Sequence, residues 1–413
     1  MKRSLVALVM VLLLTSGVRA AGPQARIEFW TISLQPYFTN YIQGLIDVYE
    51  RAHPEISVHW IDVPAQAIEQ KLLAAVAGGV SPDVVNLNTE GTLRMAEAHA
   101  LVDVDAAVPA AARALYFPNI WDSTRYEGKV YGIPWYVVPN VLAYNRSLFH
   151  RAGLDPAHPP GSEDAFIQAA TTIKERTGIY GFMPNVDGIR FLKIFQEDGL
   201  PILSPDRRRA VFDSPAHAQL LATYVALFKR DLFPTDTLQR GYVGATERYA
   251  AGQLAMLTTG PQFLLRVRSD SPDVYRDTAV APYPLGRAHV LDLPTMELTV
   301  PLASRHRREA VEFGLYATND RNQLAFSHLV VIFPSTRAAA ADPFFTHAGA
   351  SPEDRARVIA ASELGFARDL TVVVPHSDEL FRVFREAVEQ AFYGRMTPRQ
   401  ALDWAVMEWN GRL

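Results

Sequence analysis

The stretch Gly128-Lys-Val-Tyr-Gly-Ile-Pro-Trp-Tyr-Val-Val-Pro-Asn-Val-Leu-Ala-Tyr-Asn-Arg-Ser-Leu-Phe-His-Arg-Ala-Gly-Leu-Asp155 carries most of what can be read from this chain. It reads as a turn, a short strand, an aromatic pair at Trp135 and Tyr136, a second strand and a helix start.

Upstream, Arg26 to Trp30 predicts a strand. Phe38, Tyr41, Ile42, Leu45, Val48, Tyr49 and Ala52 then recur at helical spacing, and His53-Pro54 stops that helix. Ile56 to Val63 is β-branched and aromatic, Ala65 to Ala77 is helical up to Gly78-Gly79, and Asp83 to Leu87 is a short apolar strand. This alternation predicts an α/β fold with parallel strands, in which ligands bind outside the carboxyl ends of the strands. Downstream, Ser162 and Ser214-Pro215 are helix starts, Gly178 is a stop, and Phe381 to Asn410 is a pair of amphipathic helices.

The N-terminus predicts export. Lys2 and Arg3 precede ten apolar residues, Leu5 to Leu14, and Val18-Arg19-Ala20 offers a cleavage site before Ala21. The apolar run is too short to span a bilayer, which takes about 20 residues. Without cysteine the chain forms no disulfide and carries no lipid-modified cysteine, so a freely diffusing periplasmic protein is expected. The formal charge is −4; losing residues 1–20 removes Lys2, Arg3 and Arg19 and no acid, leaving −7. A mildly acidic protein is a poor nucleic-acid binder, and the runs Arg207-Arg208-Arg209 and Arg305-His306-Arg307-Arg308 are too short to alter that.

The opening stretch closely resembles the lobe-crossing segment of bacterial ABC-transporter solute-binding proteins of the sugar-binding, maltose-binding-protein-like family. The shared pattern is Gly-Lys-x-Tyr-Gly-x-Pro followed by Tyr-Asn-x-x-Leu-Phe-x-x-Ala-Gly-Leu. Tyr249 to Pro261, Val300 to Ser304 and Phe333-Pro-Ser-Thr336 resemble later landmarks, so the likeness spans the mature chain. There are two departures. Gln262-Phe263 stands where the family usually has tryptophan, and Met296-Glu297 where many members have a glycine pair. The resemblance implies a two-lobed periplasmic binding protein fold, each lobe a mainly parallel sheet flanked by helices, with interleaved segments and a hinge. It implies residues 21–138 and 294–352 in the first lobe and 139–293 and 353–413 in the second, after a signal peptide at 1–20. It also implies a binding component of an ABC importer that hands a carbohydrate, a di- or oligosaccharide, to a membrane permease.

A sugar offers apolar ring faces and a rim of hydroxyls, so its site needs flat aromatics and planar polar groups. Trp30, Trp135 and Tyr136 are the aromatic candidates, with Phe263 after the Gly260-Pro261 turn; Asn88, Glu90, Asn140, Asp187, Arg190, Gln262 and Glu297 are the polar ones, in loops at strand ends. Trp60, Trp404 and Trp409 lie in periodic patterns and are expected in cores. No Gly-x-Ser-x-Gly, His-Glu-x-x-His or phosphate-loop motif occurs, and no two of the eleven histidines lie three or four residues apart. No enzyme activity, metal or cofactor is therefore expected, and the protein is expected to be a monomer. The rival readings are a polyamine, peptide or phosphodiester binder, or a glycoside hydrolase whose only nominable carboxyl pair is Glu90 and Glu297.

Overall fold

The computed structural model describes residues 25–186 and 188–413; the expected signal peptide and Asp187 lie outside the described residues. The strands in chain order are β1 (Ala25–Ile32), β2 (Ile56–Val63), β3 (Val84–Asn88), β4 (Arg125–Tyr126), β5 (Lys129–Val130), β6 (Ile133–Val137), β7 (Val141–Asn145), β8 (Met256–Thr259), β9 (Thr278–Ala281), β10 (Thr295–Thr299) and β11 (Phe333–Pro334). They form a six-stranded sheet ordered β11-β6-β10-β3-β1-β2, a small β4-β5 ladder and a three-stranded sheet ordered β8-β7-β9.

The two-lobed α/β reading stands, but the strand directions differ from a mainly parallel pattern. β1 is parallel to β2 and β3, whereas β10 is antiparallel to β3 and β6, and β11 to β6. The second sheet is antiparallel throughout. The reason is the crossing. β6 runs out of the first sheet and continues through Val138-Pro139-Asn140 into β7, while β10 brings the chain back. A strand that enters beside one that leaves must point the other way. Val138 N–H donates to the Pro294 carbonyl at 3.2 Å, so outgoing and returning segments lie side by side.

Local chemistry sets the helix ends where the sequence places them. Ser162 accepts from Ala165 N–H at 3.3 Å, Ser214 from His217 N–H at 3.4 Å, and Thr397 and Gln400 form a reciprocal cap ahead of Pro398–Asn410. Gly178 ends Glu163–Thr177 at φ 73°, in the left-handed region open to glycine. In Thr39–Ala52 the buried face includes Ile46, while Val48, expected inside, is 42% exposed.

Each sheet has its own core. Successive side chains of a strand face opposite ways, so Phe29 and Trp30 enter different clusters on the two faces of the first sheet. The second core gathers the C-terminal helices Ser377–Phe392 and Pro398–Asn410, where Phe212 meets Phe384 and Trp409 edge-on at 5.1 and 5.0 Å. Trp409 is fully buried, as its periodic setting predicts; Trp60 and Trp404 are half-buried against the cores.

Trp135 corrects an expectation. Its indole is fully buried, packed on Phe29, Tyr136 and Phe326 with centroids 6.2, 5.4 and 5.5 Å away, and its Nε1 has no hydrogen-bond partner. Trp135→Ala should lower the unfolding free energy by about 3–5 kcal/mol. Trp135→Phe should cost much less, because the indole N–H it removes is already unpaired. Urea unfolding of both variants checks this; an alanine variant as stable as the parent would contradict the packing role.

Candidate ligand cleft

β1, β3 and β6 run parallel, so their carboxyl ends share one edge of the first sheet, and the crossing from β6 leads to the start of β7, which lies opposite the carboxyl ends of β8 and β9; this junction is the candidate ligand gap. After β1 the chain turns at Ser33 to Tyr37. Asp62 of β2 ties this turn down, accepting from Thr31 Oγ1 at 2.6 Å, Leu34 N–H at 3.0 Å and Gln35 N–H at 2.9 Å. The backbone is held while Gln35 stays exposed and Tyr37 is left 87% exposed.

β3 passes directly into the helix Thr89–Glu97, so the expected Asn86–Glu90 loop does not exist. Asn86 is buried and donates to the Glu297 carbonyl, while Asn88 caps the helix by accepting from Gly91 N–H at 2.8 Å. Glu90 lies along the helix, 3.3 Å from Arg94, which also pairs with Glu69 at 2.8 Å.

On the opposite side β8 runs through Gly260-Pro261 into the helix Gln262–Asp270. The Gln262 amide lies over Gly260, where a Cβ would come within 2.3 Å of its Oε1, so the glycine leaves room for the amide to fold back over the turn. Phe263 turns inward against Tyr249 and is buried. Beside them a recess of about 700 Å³, mouth included, is lined by Asn185, Tyr242, Thr258 and Tyr283 among others. Gly241, at φ 39°, kinks the helix Thr237–Ala250, and Asn185 Oδ1 occupies the space that a Cβ there would need. The next residue, Tyr242, is 41% exposed and its hydroxyl lies 2.6 Å from Thr259 Oγ1.

The recess wall spends its charges on itself. Arg190 sits on the helix Gly188–Glu197, not in a loop, 2.9 Å from Asp292 and 3.1 Å from Glu197; Lys193 also reaches Asp292 at 2.9 Å. Tyr224 donates to Glu163 at 2.5 Å. Burial pushes the Glu197 carboxyl up to about 7 despite Arg190, and raises Glu163 as well.

Between the two sides lies a carboxyl pair. Thr89 Oγ1 is 2.9 Å from Glu297 Oε1 and 2.5 Å from Asp369 Oδ2. Asp369 also accepts from Thr295 N–H at 3.2 Å and Thr371 N–H at 2.9 Å, and Lys193 favours its charge. Glu297, fully buried, receives only the Ser123 and Thr92 hydroxyls at 3.2 and 3.4 Å besides Thr89. Burial and then the Asp369 charge raise Glu297 well above the usual carboxylate range. Burial raises Asp369 too, with Lys193 opposing, so Glu297 is the carboxyl pushed further toward the protonated form.

Of the residues expected at the site, Asn88, Tyr136, Asn140, Gly260 and Gln262 lie at strand ends around the gap. Trp30 does not: it is buried beneath Lys71, 4.7 Å from the ring centroid, with Nε1 donating to Glu28 at 2.6 Å. Trp135, Phe263 and Glu297 are buried, and Arg190 and Glu90 are ion-paired. The Glu90–Glu297 pair of a hydrolase fails, because Glu297 has no solvent access. The sequence reading missed Gln35, Tyr37, Asn185, Tyr242 and Asp369. Gln35 and Tyr37 carried a signal, since they directly follow the first strand; Tyr242 lay inside a helical pattern and carried none.

Two α/β bodies joined by side-by-side crossing strands, with neutral amides and tyrosine rings at strand ends beside the crossing, are the architecture of a two-lobed solute-binding protein. Residues 34–324 match the bacterial extracellular solute-binding protein family, and the chain belongs to it. A crystal structure from Synechococcus sp. MITs9220, of a protein named as an oligosaccharide periplasmic-binding protein, superposes with a TM-score of 0.85 at 31% identity, covering 93% of this chain and 98% of that one. The sugar-binding protein MalE of Xanthomonas citri superposes at 0.78 with 20% identity, covering 94% and 96%. The galactooligosaccharide-binding protein of Bacillus subtilis is 21% identical over 91% of this chain and 87% of its own length. The family and fold are those of binding proteins, and among the described residues no helix is long and apolar enough to cross a membrane.

The carboxyl pair predicts a pH dependence. A folded-state pKa above the unfolded one means that the folded protein holds a proton the unfolded chain releases. That stability is full below the unfolded pKa and is lost as pH rises. Carboxyls pulled low, such as Asp354 beside Ser351 and Arg357, act only at more acid pH. The melting temperature should therefore fall as pH rises above the ordinary carboxylate range toward the raised folded-state pKa of Glu297. Glu297→Gln, which keeps the shape without the proton, should flatten that fall and melt higher than the parent at the upper end. Calorimetric scans across the range check it; a parallel fall in parent and variant would contradict the assignment.

Proposed function

We propose that the protein is the binding component of an ABC importer that captures a neutral carbohydrate, a di- or oligosaccharide, between two lobes and delivers it to a membrane permease. The observation that carries this reading is the set of carboxamides Gln35, Asn88, Asn140 and Gln262 at strand ends and Asn185 in the recess, with the exposed rings of Tyr37 and Tyr242. Among the described residues the side-chain amides of Gln35, Asn140 and Gln262 are not engaged in protein hydrogen bonds. An amide both donates and accepts, which suits hydroxyl rims, and a tyrosine ring suits a sugar face. The sugar-binding relatives support the ligand class. The ion-paired state of Glu90 and Arg190 leaves little for a polyamine or a phosphodiester to bind.

In this reading residues 21–138 and 294–352 form one lobe and 139–293 and 353–413 the other. The solute docks on one lobe and the second closes over it about the paired crossings. Closure is driven only by the difference in affinity between closed and open forms. The protein acts as a periplasmic monomer, released by cleavage after Ala20, and carries out no bond-making chemistry. N-terminal sequencing of the protein from its native envelope should begin at Ala21; a chain retaining Met1 in the membrane fraction would contradict export by cleavage.

Thermal melting against neutral oligosaccharides, spermidine and a glycerophosphodiester tests the ligand class. A ligand at 100 times its dissociation constant adds about 2.7 kcal/mol of stability. Only the oligosaccharides should raise the melting temperature. Tyr37→Ala should weaken their binding by about 2 kcal/mol, roughly thirtyfold, without destabilising the protein, because the ring is exposed. A shift with spermidine or the phosphodiester alone would overturn the reading.

A further inference from the structure

β9 is the last strand of the second sheet. Its only partner strand is β7, with Leu142 opposite Ala281 and Tyr144 opposite Ala279. Every second residue of such a strand turns its N–H and C=O away from the neighbour. Among the described residues, Ala279 and Val280 make no backbone hydrogen bond beyond that ladder. The edge is an open template.

A groove of about 970 Å³, mouth included, follows this edge, with Thr278, Ala279 and Val280 along its floor. Its walls come from both faces of the sheet. Tyr144, with Pro156 beside it, belongs to the face covered by the C-terminal helices; Pro352 and Arg355 come from the helix Pro352–Glu363, which packs on the other face. Walls on both sides flank the strand edge, as a site for one added extended chain requires.

The rim is basic. Arg146, Arg276 and Arg355 border the groove and are exposed. Arg146 donates to the carbonyls of Arg276 at 2.6 Å and Asp277 at 3.5 Å, which leaves its charge uncancelled. Arg276 meets Asp273 at 2.6 Å in a pair 74% and 88% exposed; such an exposed pair holds weakly, so an incoming carboxylate can compete for the guanidinium. The acids flanking Arg355 are engaged elsewhere, Glu353 by Arg268 at 3.0 Å and Asp354 by Arg357 at 2.8 Å. In a chain of net charge −4 this basic rim is a local exception.

We propose that the groove docks an extended acidic segment of a partner protein, which adds to β9 as a fourth strand. The strand edge supplies backbone hydrogen bonds, and the three arginines select carboxylates. A four-residue edge makes a small contact, so the complex is transient, with a dissociation constant of about tens to hundreds of micromolar. The groove is distinct from the ligand cleft, so docking is independent of solute.

The test uses the intact protein and a fluorescent peptide of alternating Glu and Val, about eight residues long, read by anisotropy at low and physiological salt. Saturable, salt-weakened binding is expected, reduced at least tenfold in the Arg146→Ala, Arg355→Ala double variant. A peptide with Gln for Glu should bind at least tenfold more weakly. So should one N-methylated at alternate residues, which leaves the protein unaltered and asks only about the strand edge. No saturable binding by about 1 mM, undiminished binding of the N-methylated peptide, or binding to phosphatidylglycerol vesicles in place of the peptide would each overturn the proposal.

Discussion

One hydroxyl, that of Thr89, lies between the buried carboxyl of Glu297 and the partly buried carboxyl of Asp369. It can donate to only one of them at a time. Burial raises both carboxyls; Lys193 and two backbone N–H groups offset this at Asp369, whereas Glu297 is pushed furthest toward its protonated form. The junction ties together the end of β3, the returning strand β10 and the segment that leads into the C-terminal helices. Breaking it would leave a buried charge without partners, which costs more than the intact pair contributes. The two bodies are therefore held in one register near the point where the chain crosses.

The same economy of charge shapes the cleft. The acids and bases near it are consumed by each other: Arg190 and Lys193 by Asp292 and Glu197, Arg94 by Glu69 and Glu90. What remains at the strand ends is neutral, with amides and tyrosine rings on show. A neutral polyol can exchange its water hydrogen bonds for those amides without leaving a buried ion unpaired, whereas a charged solute would need a counter-charge of its own.

Three amide and ring positions depend on the space a glycine leaves, on a glycine's left-handed backbone or on a tied turn. Gln262 folds over Gly260, Asn185 against Gly241, and Tyr37 follows the turn anchored by Asp62. Holding the backbone while leaving the side-chain tips unspent keeps the site ready to receive a ligand at little ordering cost.

Much of the fold is legible in local chemistry. The caps at Ser162, Ser214 and Thr397, the stop at Gly178 and the strands from Ala25 to Asn88 follow from propensity and hydrogen bonding between near neighbours. The crossing at Val138–Asn140 is legible in a different way, through the resemblance of its flanking motifs to a known family, because the turn residues alone do not say that the two strands belong to different sheets. Which side chains face the ligand is not written locally. Trp30 and Trp135 stand on cleft-bound strands, yet each is covered by elements far along the chain, Trp30 by the helix Ile68–Ala77 and Trp135 by Phe326. Glu297 reads as an exposed carboxylate until Thr89, Ser123 and Asp369 close around it. A side chain's address on a strand depends on its own neighbours, but its burial and protonation depend on what packs against it. Those partners are brought together only when the whole chain has folded.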